Sequence, residues 1–181
     1  MSALTVIFTG LLAFVGAILG HFVAFDLNAA AKRRETRRAQ AERLGQLLAE
    51  DITWTSTYRR QQLFGPGAAP EGSPFDQAHA IYVLYFANEI KDEMLELLKS
   101  RAAYIGAIDE GHVERLKIAK SKEEFEVTAP SGDSLRKVGT ASGPYHKATF
   151  KSLSEAAKII EACMPEDSEL RRLWARLTVR Q

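Results

Sequence analysis

The sequence contains very little cysteine. Its single thiol, Cys163, cannot form an internal disulfide and cannot build a cysteine-rich zinc site. A chain of this kind fits a reducing compartment such as the cytosol. Because Cys163 stands among apolar, helix-forming residues, we interpret it as a small buried side chain, with a reactive thiol as the alternative.

Motifs for catalysis, metal binding and nucleotide binding are also missing. The four histidines are scattered without an H-E-x-x-H pattern, and neither G-x-S-x-G nor a glycine-rich phosphate-binding motif occurs. We therefore predict no catalytic, cofactor-binding or metal-binding residues, and a protein that is not an enzyme. Catalytic groups can converge from distant positions, so a membrane-anchored enzyme stays the least favoured alternative.

Charge is absent from Leu4 to Phe25, which has no Asp, Glu, Lys or Arg. A helix of this length extends about 33 Å, enough to cross a hydrocarbon core of about 30 Å. We therefore predict a transmembrane anchor within residues 1–25. One alternative is a cleaved signal peptide, since Ala29 and Ala31 form a small-x-small pattern, and another is a buried helix of a soluble protein.

Positive charge is concentrated directly after this segment. Residues 32–43 contain six Lys or Arg and two Glu, whereas no basic residue precedes Leu4. The positive-inside rule therefore predicts a single-pass inner-membrane protein with its amino terminus outside and its remaining domain in the cytoplasm. We assign lipid headgroup contacts to the juxtamembrane basic residues Lys32, Arg33, Arg34, Arg37 and Arg38. A solvated helix face is the alternative, and no nucleic acid is expected, because no aromatic platform accompanies them.

Small residues recur every four positions within the predicted span, at Gly16, Gly20 and Ala24. Faces of this kind allow two helices to approach closely in a bilayer. We predict that these three residues mediate helix association in a homo-oligomer or a membrane complex. Ordinary lipid-facing glycines are the alternative, because glycine is common in membrane helices.

The rest of the chain predicts a mainly α-helical protein. Residues 26–43 have no proline and predict a basic juxtamembrane helix, or stalk, that continues the anchor. Residues 44–181 predict a cytoplasmic helical bundle. It opens with an apolar stripe at helical spacing, formed by Leu44, Leu47, Leu48 and Ile52 and then Trp54 or Tyr58.

Several local patterns subdivide this predicted bundle. Residues 65–74 predict a loop, and Ser73-Pro74 predicts the start of a helix. Residues 80–86 fit a helix or a short strand; helix is favoured, and the aromatic residues Tyr82, Tyr85 and Phe86 are assigned to the core. A further helix is expected from Asn88, with an interruption at Gly111.

The carboxyl-terminal third is expected to be less regular. Residues 127–146 are rich in Gly, Ser, Thr and Pro and predict an irregular loop region. A capping-box pattern from Ser152 to Glu155 then predicts the start of a helix that reaches about Met164, and residues 168–180 predict a last helix.

These patterns favour binding over chemistry. They predict a single-pass membrane protein whose cytoplasmic helical domain binds protein partners or assembles into a membrane complex, with the lipid bilayer as its other contact. The alternative is a membrane-acting, toxin-like effector that oligomerises through its span.

Overall fold

A computed structural model describes the backbone of residues 3–122 and 129–164, and the side chains of residues 21–120 and 129–164. The described chain is mainly helical, which confirms the mainly α-helical part of the predicted fold class, and the described residues contain no strand. Its elements are α1 (Ala3–Phe64), α2 (Pro74–Ile81), a π-helical turn (Tyr82–Phe86), α3 (Lys91–Lys122) and α4 (Gly132–Ala162). Helices α3 and α4 form the most extensive pair, and α1 packs against α2, α3 and α4.

Helix α1 is 62 residues long, which corresponds to about 93 Å. The predicted continuation from the uncharged segment through the stalk into the bundle is confirmed as one unbroken helix. Among the residues that the structure describes, no helix combines the length and the apolar character that crossing a membrane requires. The side chains of residues 4–20, which make up most of the predicted span, lie outside the described set, so the span stays a prediction.

The predicted apolar stripe on α1 forms the centre of the bundle. Leu44, Leu47 and Leu48 are fully buried, while the later members Ile52, Trp54 and Tyr58 are half-buried. The buried face also includes two polar residues, Asp51 and Thr55, that continue the same spacing. The stripe is therefore confirmed, but its centre is polar, which the apolar pattern did not predict.

Helix α2 and the π-helical turn confirm helix over residues 80–86. Ser73 occupies the N-cap position with extended backbone angles and Pro74 follows at the first helical position, as predicted. Tyr82 and Phe86 are buried, but Tyr85 is 45% exposed, so the assignment of Tyr85 to the core is wrong. The π-helical turn anchors its two ends in the bundle and directs the three residues between them outward.

Helix α3 continues through Gly111, so the predicted interruption there is wrong. Gly111 is buried, and a Cβ atom at this position would lie 2.9 Å from Cδ2 of Leu63 on α1. This contact is shorter than ordinary van der Waals contact, so the missing side chain allows α1 and α3 to approach closely. Glycine serves helix packing here and does not end the helix.

Helix α4 occupies residues 132–162, so the predicted irregular loop over 127–146 is wrong from Gly132 onward; residues 127 and 128 lie outside the described residues. Gly139, Gly143 and Pro144 are all exposed. Because Pro144 has no N–H, one backbone carbonyl of α4 lacks its intrahelical donor, and on this exposed face water can donate to that carbonyl instead. The penalties of these residues, about 1 kcal/mol per Gly and about 3 kcal/mol for Pro, are offset by burial of the opposite face, which carries Val138 and Tyr145.

The start of α4 also differs from the prediction. Its N-cap is Ser131, whose side chain accepts a hydrogen bond from the backbone N–H of Ser134. Ser152, predicted as a cap, is buried within the helix, and its hydroxyl donates to the carbonyl of Glu93 on α3 at 3.4 Å. The predicted helix over residues 168–180 lies outside the described residues.

Two glycines of α3 provide a matched test of the close approach. A Cβ at Gly106 would meet nothing within 4 Å, so we expect Gly106→Ala to stabilise the full-length protein by about 0.5–1 kcal/mol through helix propensity. Gly111→Ala should lose this gain or destabilise the protein, because the methyl group meets Leu63. Denaturant unfolding of both variants in detergent micelles measures the difference; equal stabilisation would show that Gly111 is not needed for packing.

Candidate functional site

The residues predicted to mediate helix association are only partly described. Gly16 and Gly20 lie outside the residues whose side chains the structure describes, and Ala24 is exposed on α1. The structure therefore leaves the association prediction as it stood.

The basic residues predicted to contact lipid headgroups lie on the described part of α1. Lys32, Arg33, Arg34 and Arg37 are exposed and Arg38 is half-buried. Two of them form ion pairs: Arg37 pairs with Glu89, which follows the π-helical turn, and Arg38 Nε donates to Glu42 at 2.8 Å. The structure thus brings the basic segment beside the outward-facing residues of the π-helical turn.

A buried polar network lies at the centre of the bundle, where α1, α3 and α4 meet. The carboxylate of Asp51 accepts two hydrogen bonds from Arg101, from Nε and from Nη2, both at 2.9 Å. It also accepts a hydrogen bond from the hydroxyl of Tyr145 at 2.8 Å. Thr55 lies within 3.3 Å of the same phenol oxygen. Three helices are therefore connected through one carboxylate.

Aromatic rings and the start of α2 enclose the guanidinium of Arg101. Its central carbon lies 4.5 Å from the ring centroid of Phe75 and 5.5 Å from that of Trp54. Its Nη2 also donates to the hydroxyl of Ser73 at 2.9 Å. Ser73 therefore occupies the N-cap position of α2 while its side chain binds Arg101 and makes no capping hydrogen bond.

The chemistry of this network favours a structural role. Asp51 is 2% exposed and Arg101 15% exposed, and both carboxylate oxygens are engaged by hydrogen-bond donors. Burial raises the pKa of the Tyr145 phenol well above its ordinary value, and the nearby Asp51 carboxylate adds to the increase. Tyr145 therefore stays a neutral donor, and the network joins helices without presenting a nucleophile or a base to solvent.

A second polar contact between α1 and α3 lies further along the same helices. The hydroxyl of Tyr58 donates to Asp109 Oδ1 at 2.6 Å, and its ring stacks on Trp54 at a centroid distance of 5.1 Å. Burial raises the pKa of Tyr58 to about 12, with further contributions from the hydrogen bond to Asp109 and from its charge. The neutral phenol is therefore the form that the fold favours.

The structure confirms the predicted loop after α1. This loop and α3 together contact the carboxyl end of α1. The carbonyl of Gln62 accepts from His112 Nδ1 at 2.9 Å and from Arg115 Nη1 at 3.0 Å. Gly67 has a φ of 81° and packs so closely on His112 that a Cβ would lie 2.8 Å from the ring. Two basic side chains thus satisfy a carbonyl that the helix end leaves without an intrahelical partner.

Sequence reasoning missed the buried network. Its one available signal is Asp51, which follows Leu44, Leu47 and Leu48 at helical spacing and so falls on the face predicted to be buried. A buried carboxylate requires a cationic or hydrogen-bonding partner. Neither Arg101 nor Tyr145 could be selected as that partner without knowing how α3 and α4 pack, because α4 was not predicted there.

The described residues contain no group of three or more His, Cys, Asp or Glu side chains arranged to hold a metal ion. Comparison with known proteins also gives no assignment: no family model matches the sequence, no curated protein matches it, and no solved structure matches the chain. Any proposal for function therefore depends on the sequence and on the geometry of the bundle.

Breaking the central ion pair should be costly. Asp51→Asn leaves the guanidinium of Arg101 buried without its counter-charge, so we expect a loss of about 3 kcal/mol in the free energy of unfolding. Glu110→Gln is the control, because the pair of Glu110 with Lys137 is 3.5 Å apart and exposed and should contribute at most about 1 kcal/mol. Denaturant unfolding of the full-length protein in micelles measures both; similar small losses would contradict the central role of the pair.

The stability of the protein should fall in alkaline solution. The pKa of Tyr58 is about 12 in the folded protein, against 10.0 for the free group. The contribution of the neutral Tyr58 phenol to the free energy of unfolding is therefore fully present below pH 10 and is lost as the pH rises towards 12. In Tyr58→Phe, the unfolding free energy should depend less on pH over this window, whereas Tyr85→Phe, at an exposed position, should leave the profile unchanged. Parallel profiles for the wild type and Tyr58→Phe would contradict this assignment.

Proposed function

We propose that the protein is a membrane-anchored helical module. Residues 4–25 form a single transmembrane helix with the amino terminus outside, and the bundle lies at the cytoplasmic face of the inner membrane. There it assembles with copies of itself or with other subunits of a membrane complex. The small residues Gly16, Gly20 and Ala24 mediate helix contact within the bilayer.

The observation that carries this proposal is the continuity of α1. One helix, Ala3–Phe64, joins the uncharged segment to the core of the bundle. The same helix presents four exposed basic side chains directly after that segment, at Lys32, Arg33, Arg34 and Arg37. An apolar stretch followed by cations is the pattern expected of a helix that leaves the membrane on its cytoplasmic side.

Assembly is favoured over catalysis by the way the bundle uses its polar groups. The buried Asp51 and Tyr145 and the half-buried Arg101 satisfy one another and join helices. In contrast, one face of α1 is open: a concavity of about 550 Å³ is lined by residues between Ile52 and Phe64, all of them from α1. Phe64 is 54% exposed at its end. A helix face of this kind supports packing with another chain.

A reporter reconstituted from two fragments tests anchoring, orientation and assembly together. Each fragment of an enzyme that functions only in the cytoplasm is fused after Gln181, and both fusions are expressed in one bacterial cell. We expect activity from the full-length chain, recovered in the membrane fraction after a carbonate wash. Deletion of residues 4–25 should release the protein from membranes and abolish the signal.

The association residues are tested in the same cells. Gly16→Ile with Gly20→Ile should lose reporter activity while the chain stays in carbonate-washed membranes, because bulky side chains prevent close helix approach. Gly10→Ile is the control, since it changes a glycine of the same segment outside the four-residue repeat. A wild-type chain that washes off, or that gives no signal, would overturn the proposal; an unchanged double variant would remove Gly16 and Gly20 from it.

A further inference from the structure

Three consecutive apolar side chains are exposed on the π-helical turn. Val83 is 52% exposed, Leu84 75% and Tyr85 45%, whereas the flanking Tyr82 and Phe86 are buried. Because both ends of the turn are anchored in the core, the exposure of the middle residues is built into the fold. Contiguous apolar side chains held outward in this way are typical of a contact surface.

This turn lies against the stalk part of α1. Leu84 and Tyr85 form one wall of a groove of about 560 Å³, and the opposite wall includes Lys32, Arg33 and Arg37. The ion pair between Arg37 and Glu89 holds the two walls together. Among the described residues, no carboxylate forms an ion pair with Lys32 or Arg33, so two cations of the groove remain available for an anion.

The groove also has a defined position along the helix. It begins at Ala29, four residues beyond Phe25, the last residue of the uncharged segment. Four residues correspond to about 6 Å along a helix, and the headgroup layer extends about 5–8 Å beyond the hydrocarbon core on each side. If residues 4–25 span the bilayer, the groove opens at the level of the phosphates.

We infer that this groove is a second membrane contact, in which Lys32 and Arg33 bind the phosphate of an anionic phospholipid while Leu84 and Tyr85 enter the interfacial layer. The inference rests on the proposed anchoring and deepens it. The occupant is a lipid because one wall offers cations for a phosphate and the other offers an aliphatic and an aromatic side chain for the acyl boundary. A tyrosine at this level also matches the aromatic residues that mark membrane interfaces.

The contact has a structural consequence for the bundle. One helix crossing a bilayer leaves the attached domain free to tilt and rotate about that single attachment. A second contact through the π-helical turn restricts that motion, since the turn is fixed to the core by Tyr82 and Phe86. The domain would then present one defined face to the cytoplasm.

Fluorescence quenching by lipids tests this inference on the full-length chain. With Cys163→Ser as background, Leu84→Cys is labelled with an environment-sensitive fluorophore and reconstituted into phosphatidylcholine–phosphatidylglycerol vesicles that carry a nitroxide on the headgroup. We expect several-fold stronger quenching at position 84 than at Leu116→Cys. Leu116 is also exposed, but it lies far from the groove. Its neighbour Arg115 contacts Gln62 on α1. Gln62 is 29 residues beyond Arg33, which corresponds to about 44 Å along the helix.

The cations provide the second arm of the test. Lys32→Gln with Arg33→Gln, or vesicles of phosphatidylcholine alone, should reduce quenching at position 84 and leave the chain resistant to carbonate. Absence of quenching in a carbonate-resistant chain would overturn the groove contact but not the anchor, whereas a chain that washes off would overturn the anchor itself. In detergent without phospholipid, the fluorophore at position 84 could instead report an apolar environment that becomes stronger as the protein concentration rises. That result would show that a second copy covers the groove and would overturn the lipid assignment.

Discussion

The arrangement of the bundle depends on one buried ion pair. Removing a carboxylate and a guanidinium from water costs several kcal/mol per ion, and this cost is recovered only if their geometry and hydrogen bonds are nearly complete. Asp51 and Arg101 meet that condition through two hydrogen bonds between them, with a third from Tyr145. Because Asp51 lies on α1 and Arg101 on α3, a shift of either helix by a turn would leave a charge without its partner. A shift of α4 would remove the hydrogen bond from Tyr145.

Further polar contacts reinforce this register at the end of the bundle farthest from the stalk. Glu114 on α3 accepts hydrogen bonds from Ser131 and Ser134 at the start of α4, and these bonds lower the pKa of its carboxyl. His112 and Arg115 on the same helix bind the end of α1. Helix α3 therefore aligns both neighbours, and close approach at Gly111 lets it do so.

Structural features that depend on nearby residues in the chain could be predicted from the sequence, whereas features that depend on how the helices pack could not. The buried face of α1 was predicted correctly from Leu44, Leu47 and Leu48, because apolar residues at helical spacing directly indicate burial. Gly111 predicts an interruption, and residues 127–146, which include Pro144, predict an irregular loop, because the intrinsic preferences of glycine and proline oppose helix. In the fold, Gly111 faces Leu63 and Pro144 faces solvent, and only the positions of the other helices reveal either fact. The network around Asp51 was missed for the same reason, since its donors lie 50 and 94 residues away.

The length of α1 gives the proposed anchor a mechanical consequence. Between Asp26 and Leu63 the helix contains no proline and a single glycine, Gly45, so it has none of the proline-induced kinks that commonly bend long helices. Asp51, the centre of the buried network, lies on this same helix. A tilt or rotation of the proposed span would therefore be transmitted through the stalk to the register-determining residues of the bundle. Because the proposed anchor and the core belong to one helix, the orientation of the domain would follow from the tilt and rotation of the proposed span and from any further contact of the stalk.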